Sequence, residues 1–177
     1  GSGDLDEYRT PELPATPYGA AKLAASRAVL ALENETFLPA WCRVFLLFGG
    51  HEYPARLVPS IALALRRGDA APCTHGRQVR DFLHVEDVAG ALMAVSASDV
   101  TGVVNIASGD PHPVGDVIAG LAQRVGRPDL IRLGEIPMRE PNRLVTRAAR
   151  LRQDVGWRPQ WSFDEALDRT ADFWSRQ

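Results

Sequence analysis

Residues Trp41-Cys42-Arg43-Val44-Phe45-Leu46-Leu47-Phe48 form a nearly unbroken apolar run that stops at Gly49-Gly50. A strand with one wet face alternates apolar and polar side chains. A run without that alternation suits a strand covered on both faces, as in a parallel sheet sandwiched between helices. Arg43 is the charged residue inside the run, and its guanidinium has to reach solvent or an acidic partner. The loop Gly49-Gly50-His51-Glu52-Tyr53-Pro54 would then follow the strand's carboxyl end, where ligands collect in open α/β sheets.

The flanking segments supply helices and shorter strands. Residues 1–17 are rich in Pro, Gly and acid and read as a loop, with Pro11, Pro14 and Pro17 keeping it extended. A helix is predicted from Tyr18 to Leu32 and a second from Leu57 to Arg67, stopped by Gly68. Gly76 to Val85 reads as a turn and a short strand. Glu86 and Asp87 open a helix that runs to Ala97, with acids at its positive end. Val103–Ile106 is a short strand and Pro113–Val125 an amphipathic helix stopped at Gly126. Leu130–Leu133 reads as a strand, Arg147–Val155 as a short helix, and Ser162 caps a last helix from Phe163 to Trp174. Alternating strands and helices define an α/β chain.

Composition removes several functions. Hydrophobic residues are 45% of the 177, enough for a core, and the formal net charge of -2 argues against a general nucleic-acid or membrane surface. No run of about eighteen apolar residues is present. Cys42 and Cys73 lack metal spacing and read as free thiols of a reducing, cytoplasmic compartment. His75 and His84 have no second ligand at metal spacing, and His84 reads as a packed or hydrogen-bonded histidine.

Tyr18-Gly19-Ala20-Ala21-Lys22 carries the chemistry. Four residues apart on a helix, Tyr18 and Lys22 share a face. A nearby ammonium favours phenolate, and such a Tyr can pass a proton to or from a carbinol oxygen. A surface aromatic and a solvated Lys would give the same spacing, so the motif decides nothing alone.

Further motifs follow in a fixed order. They are Arg43 through Gly49, Pro54-Ala55-Arg56-Leu57-Val58-Pro59, Gly76 through Ala89 with its Arg80-Asp81-Phe82-Leu83-His84-Val85-Glu86-Asp87 block, and Asn105-Ile106-Ala107-Ser108-Gly109. Arg139-Glu140-Pro141-Asn142 and Leu151 through Pro159 complete the series. With these motifs the chain resembles the carboxyl-terminal part of the extended short-chain dehydrogenase/reductases, the nucleotide-sugar epimerase/dehydratase family. The resemblance implies part of a Rossmann-type doubly wound sheet plus a smaller α/β substrate-binding domain. Residues 1–50 would end the Rossmann domain, and residues 51–177 would be mainly substrate-binding with segments returning to the sheet.

The resemblance also implies roles. Tyr18 would be the catalytic acid/base, and Lys22 would hold the nicotinamide ribose of NAD or NADP and lower the Tyr18 pKa. Leu46 and Leu47 would stand beside the nicotinamide and the sugar, and Arg56 and Leu57 would close over the nucleotide base. Arg80 and Arg139 would clamp the substrate diphosphate, a task that suits bidentate, always-charged guanidinium groups. Asn142 would touch a ribose. The implied partner is a nucleotide diphosphate sugar, with a possible homodimer through the Tyr18 helix.

From the residues alone, Arg80 beside Asp81 could equally form a structural ion pair, Arg56 could be solvated, and Arg139 belongs to a run with Arg143, Arg147, Arg150 and Arg152 that could be a wet face. Two departures from the family pattern stand out: Leu46 replaces its usual Asn, and Gly50 its final Pro. The family's Gly-x-x-Gly-x-x-Gly cofactor turn does not occur in the sequence, and neither Ser2 nor Thr16 fits the family's second proton-handling residue. The amino-terminal dinucleotide-binding half therefore reads as missing, from an enzyme roughly twice this size. A non-catalytic nucleotide-sugar-binding or interaction module, or one half of a split enzyme, are the alternative readings.

Overall fold

The computed structural model describes residues 3–138 and 141–177. In chain order the elements are β1 (Gly3–Leu5), α1 (Pro17–Leu30), β2 (Ala40–Val44), β3 (Leu46–Phe48), α2 (Leu57–Arg67), β4 (Ala71–Cys73), β5 (Val79–His84) and α3 (Val85–Ser96). They continue with β6 (Gly102–Ile106), β7 (Pro111–Pro113), α4 (Val114–Val125), a 3-10 turn (Pro128–Leu130), β8 (Ile131–Leu133), β9 (Arg143–Thr146), α5 (Ala149–Gln153) and α6 (Phe163–Ser175).

The largest sheet runs β1-β9-β5-β3, all parallel, with β7 antiparallel against β5. β2 pairs with β6, and β4 with β8, both in parallel. The apolar run expected to be one strand is two. Val44 still pairs with Ile106 of β6, the Phe45 N–H donates to the Ile106 carbonyl at 3.0 Å, and Leu46 then pairs with Phe82 of β5. The chain thus crosses from one sheet to another at Phe45. The side-chain phase slips there as well: Ala40 and Cys42 pack against the same core cluster as Phe45 and Leu47, so the inward positions change from even to odd. An uninterrupted apolar run hides such a slip, because both faces are apolar either way.

Four short strands lie where loops or a charge run were expected: β1, β4, β7 and β9. β4 and β7 contain Pro, which removes a ladder donor and confines a strand to an edge or a short pairing. β9 sits among arginines that the fold pairs off. Arg143 and Arg147 reach Asp4 of β1 at 3.0 and 3.3 Å, and Arg150 reaches Asp154 at 2.9 Å.

β5 divides two cores. Phe82 joins Phe48, Ile61, Leu65, Leu121, Leu167 and Trp174 under α2, α4 and α6. Leu83, its neighbour on the opposite face, joins Val88, Val104, Ile106 and Leu151 under α3 and α5. The same alternation sends Arg80 and Asp81 to different faces. Asp81, fully buried, accepts from the Ser108 N–H and hydroxyl and from the Gly109 N–H at 2.7–2.8 Å. Its carboxyl is held above the usual range by burial, against the pull of those donors. The ion-pair alternative for Arg80 and Asp81 gives way to these separate partners.

The Ser162 cap is found as expected, whereas α1 runs Pro17–Leu30 rather than to Leu32 and α5 Ala149–Gln153 rather than from Arg147 to Val155. Ser162 and Glu165 cap α6 reciprocally, and Thr16 caps α1 with Pro17 at its first position. His84 Nδ1 accepts from the Glu86 N–H at 3.4 Å at the start of α3, with the imidazole pushed down by burial. Cys42 and Cys73 are both free. Among the described residues no helix is long and apolar enough to cross a membrane, and no cluster of metal-binding side chains is found.

Candidate functional site

Two cavities flank the strand switch at Phe45. The first, about 570 Å³, is lined by α1 and β2, with Tyr18, Lys22, Ser26, Trp41, Arg43 and Asn105 in its wall. Tyr18 is 74% exposed, so its hydroxyl is open to this cleft and to solvent. The Lys22 ammonium lies 5.3 Å from the Trp41 ring centroid, a cation–π distance that fixes the amine over β2. Arg43 pairs with Glu12, the acidic partner its place in an apolar run required, and Glu12 also meets Arg27 at 3.5 Å. Behind the cleft the buried Glu7 carboxylate accepts the Asn105 N–H at 3.2 Å.

The second cavity, about 550 Å³, brings together five residues singled out from sequence: Leu46, Leu47, Arg56, Leu57 and Arg80. Leu46 therefore stands with this set, while Tyr18 and Lys22 line the first cleft. Arg80 is 2% exposed and donates to the carbonyls of Val79 at 2.9 Å and Pro141 at 2.8 Å. Its guanidinium thus ties β5 to the segment entering β9. Arg56 precedes α2 with its side chain 62% exposed, Nε lying 3.7 Å from Glu52 Oε1. Asn142 is exposed and uses its carbonyl to accept the Val79 N–H at 2.8 Å; it does not line the cavity. Arg139 lies outside the described residues.

The same cavity contains Glu52, Thr74 and Gln78, which sequence reasoning did not single out. Glu52 belongs to the strand-end loop already marked as ligand-collecting, so a signal existed. Gln78 lies inside the Gly76–Ala89 motif without a role of its own, and Thr74 sits in the turn before it, which gave no signal. Burial pushes the Glu52 carboxyl upward, and Arg56 opposes that shift.

This geometry can place a phenol and an ammonium at one cleft and cations with an apolar wall at the next. The NAD dependent epimerase/dehydratase family model matches residues 1–107. A dTDP-glucose 4,6-dehydratase of Neisseria gonorrhoeae is 30% identical over 192 residues, covering 98% of this chain and 55% of that protein. Among solved structures, dTDP-glucose 4,6-dehydratase from Bacillus anthracis in complex with NAD matches with a TM-score of 0.86 at 24% identity, covering 99% of this chain and 57% of that one. DesIV, a dTDP-glucose 4,6-dehydratase from Streptomyces venezuelae with NAD bound, matches with a TM-score of 0.83 at 25% identity, covering 99% and 55%. The chain spans about half the length of these relatives. Its fold is the Rossmann-type α/β fold of those neighbours. By the match over residues 1–107, the chain belongs to the NAD dependent epimerase/dehydratase family.

Proposed function

We propose that this chain is the Tyr/Lys and substrate portion of an NAD(P)-dependent nucleotide-sugar epimerase, dehydratase or 4-ketoreductase. One observation carries the reading. Tyr18 and Lys22 line a cleft whose wall continues, through Arg43–Leu47, into the cavity holding Leu46, Leu47, Arg56, Leu57 and Arg80. Relatives of similar sequence are dTDP-glucose 4,6-dehydratases, which supports the substrate class.

The donor set fits the reactive end of a nicotinamide cofactor. Lys22 offers three N–H donors for ribose hydroxyls, and Tyr18 offers a hydroxyl for a sugar oxygen. When bound, the nicotinamide supplies hydride acceptance and return. Tyr18 holds the proton that leaves or rejoins the sugar oxygen. At the second cavity Arg56, expected to close over the base, is the exposed cation that meets the diphosphate, while Arg80, expected at the diphosphate, holds Pro141 in the wall. Leu46, Leu47 and Leu57 exclude water around the bound nucleotide sugar.

The test is turnover of dTDP-glucose with NAD or NADP by the intact enzyme and its Tyr18→Phe form. Loss of the acid/base lowers kcat by about 10²–10⁴-fold. Turnover that survives the change rejects Tyr18 as acid/base. A second reading, a nucleotide-sugar-binding module without catalysis, is favoured by one observation: α1 buries only Ser26, leaving the Tyr18 helix largely uncovered. It predicts ligand binding with no turnover in either form.

A further inference from the structure

The cavity holding Leu46 and Arg80 has two buried acceptors that find no donor among the described residues. Gln78 is 6% exposed; its Nε2 donates to Thr74 Oγ1 at 2.7 Å, and its Oε1 has no hydrogen-bond partner. Glu52 places Oε1 3.7 Å from Arg56 Nε, and its Oε2 is buried with no partner. The two residues come from different segments, Glu52 from the loop after β3 and Gln78 from the turn before β5, and both line the cavity. The wall beside them is apolar at Leu46, Leu47, Phe82, Val114 and Ile136, so those side chains offer a polar ring no hydrogen bond. Buried acceptors are nearly always satisfied in folded proteins, and an orphan pair lining one cavity points to donors arriving with a ligand. The Thr74 hydroxyl can donate or accept, so the Gln78 amide can turn over; either way one amide atom is left over.

We propose that Glu52 and Gln78 are specificity-determining residues of this cavity, hydrogen-bonding the polar groups on a ring of the bound ligand. The chemistry is shared by the hydroxyls of a sugar and the ring N–H of a nucleotide base. The inference rests on the nucleotide-sugar reading above and adds to it the side chains that select the ligand. Neither residue acts on the reacting bond.

Calorimetric titration of the purified chain with dTDP and with dTDP-glucose tests this, using wild type, Glu52→Met and Gln78→Met. Met fills nearly the same volume without an acceptor, so packing is kept and polarity is lost. Glu52→Gln, which keeps a carbonyl, serves as a second variant, and thermal melting checks each fold. Each Met form should bind about tenfold more weakly, a change of about 1.4 kcal/mol, with Glu52→Gln weakened less. Weakening toward both ligands assigns the pair to the base; weakening toward dTDP-glucose alone assigns it to the sugar. Unchanged affinity of folded Met forms for both ligands overturns the inference while leaving the nucleotide-sugar reading in place. A wild-type chain that binds neither ligand overturns that reading, and the inference falls with it.

Discussion

Helices α1 and α2 stand on opposite sides of the strand switch and are held in opposite ways. α2 has 11 residues and buries Val58, Pro59, Ile61, Ala62, Ala64 and Leu65 against α4 and α6. α1 has 14 residues and buries Ser26 alone. One helix is made by its neighbours, through an amphipathic stripe over a core. The other is made locally, by the Thr16 cap, Pro17 and a row of alanines with high intrinsic propensity. The difference teaches that the proposed proton-handling residues ride on the less buried helix, while the cavity proposed for the nucleotide sugar is built on the packed one.

The comparison can be broken most sharply in the core. Leu121 of α4 is fully buried, and Leu121→Ala should cost about 2–5 kcal/mol in urea unfolding. Leu23→Ala on α1, a partly exposed position, should cost well under half of that. Equal costs would mean that α1 is anchored as firmly as α4. A smaller effect is expected from Thr16→Ala, which removes the bond from the Gly19 N–H and should cost about 1 kcal/mol. It should appear as faster amide exchange in the first turn of α1, with the exchange of β5 amides unchanged.

His84 offers a pH handle confined to the packed side. Its folded-state pKa lies below the ordinary imidazole value of 6.5 because burial disfavours the cation. The unfolded chain therefore binds more protons just below that pH, so stability falls as pH drops from 6.5 towards the folded value. His84→Asn should flatten that part of a pH–stability curve. An unaltered slope would place the titration elsewhere. The smallest effect is Tyr18→Phe on stability. At an exposed position it should leave the midpoint within about 0.5 kcal/mol of wild type, although the reading above has it abolish most turnover.

Much of this contrast was legible before the structure. The bounds of α2 follow from Gly68 and those of α4 from Gly126, where left-handed glycines close each helix at φ 81° and 77°. The apolar run announced parallel strands, but not their cover: Phe48 is its one buried residue and Val44 is exposed, so the expected packing on both faces is not found among the described residues. What it could not announce was the division at Phe45, since alternation is the signal that would have shown it. β1, β4 and β7 have three residues each, too short for a period, and β9 was masked by its arginines. At the candidate site, charge and motif drew attention to Arg56 and Arg80. Gln78 escaped because its significance lies in burial without a partner, which no spacing encodes.

The slip at Phe45 also sets a rule for change by length. Val44 belongs to β2 and Leu46 to β3, with one residue between the two sheets. Point substitutions at Leu46 or Leu47 would reshape the second cavity without disturbing the Tyr18 cleft. A single inserted or deleted residue would instead turn each of the two leucines to the opposite face. In this part of the chain, residue count is therefore held more tightly than side-chain identity.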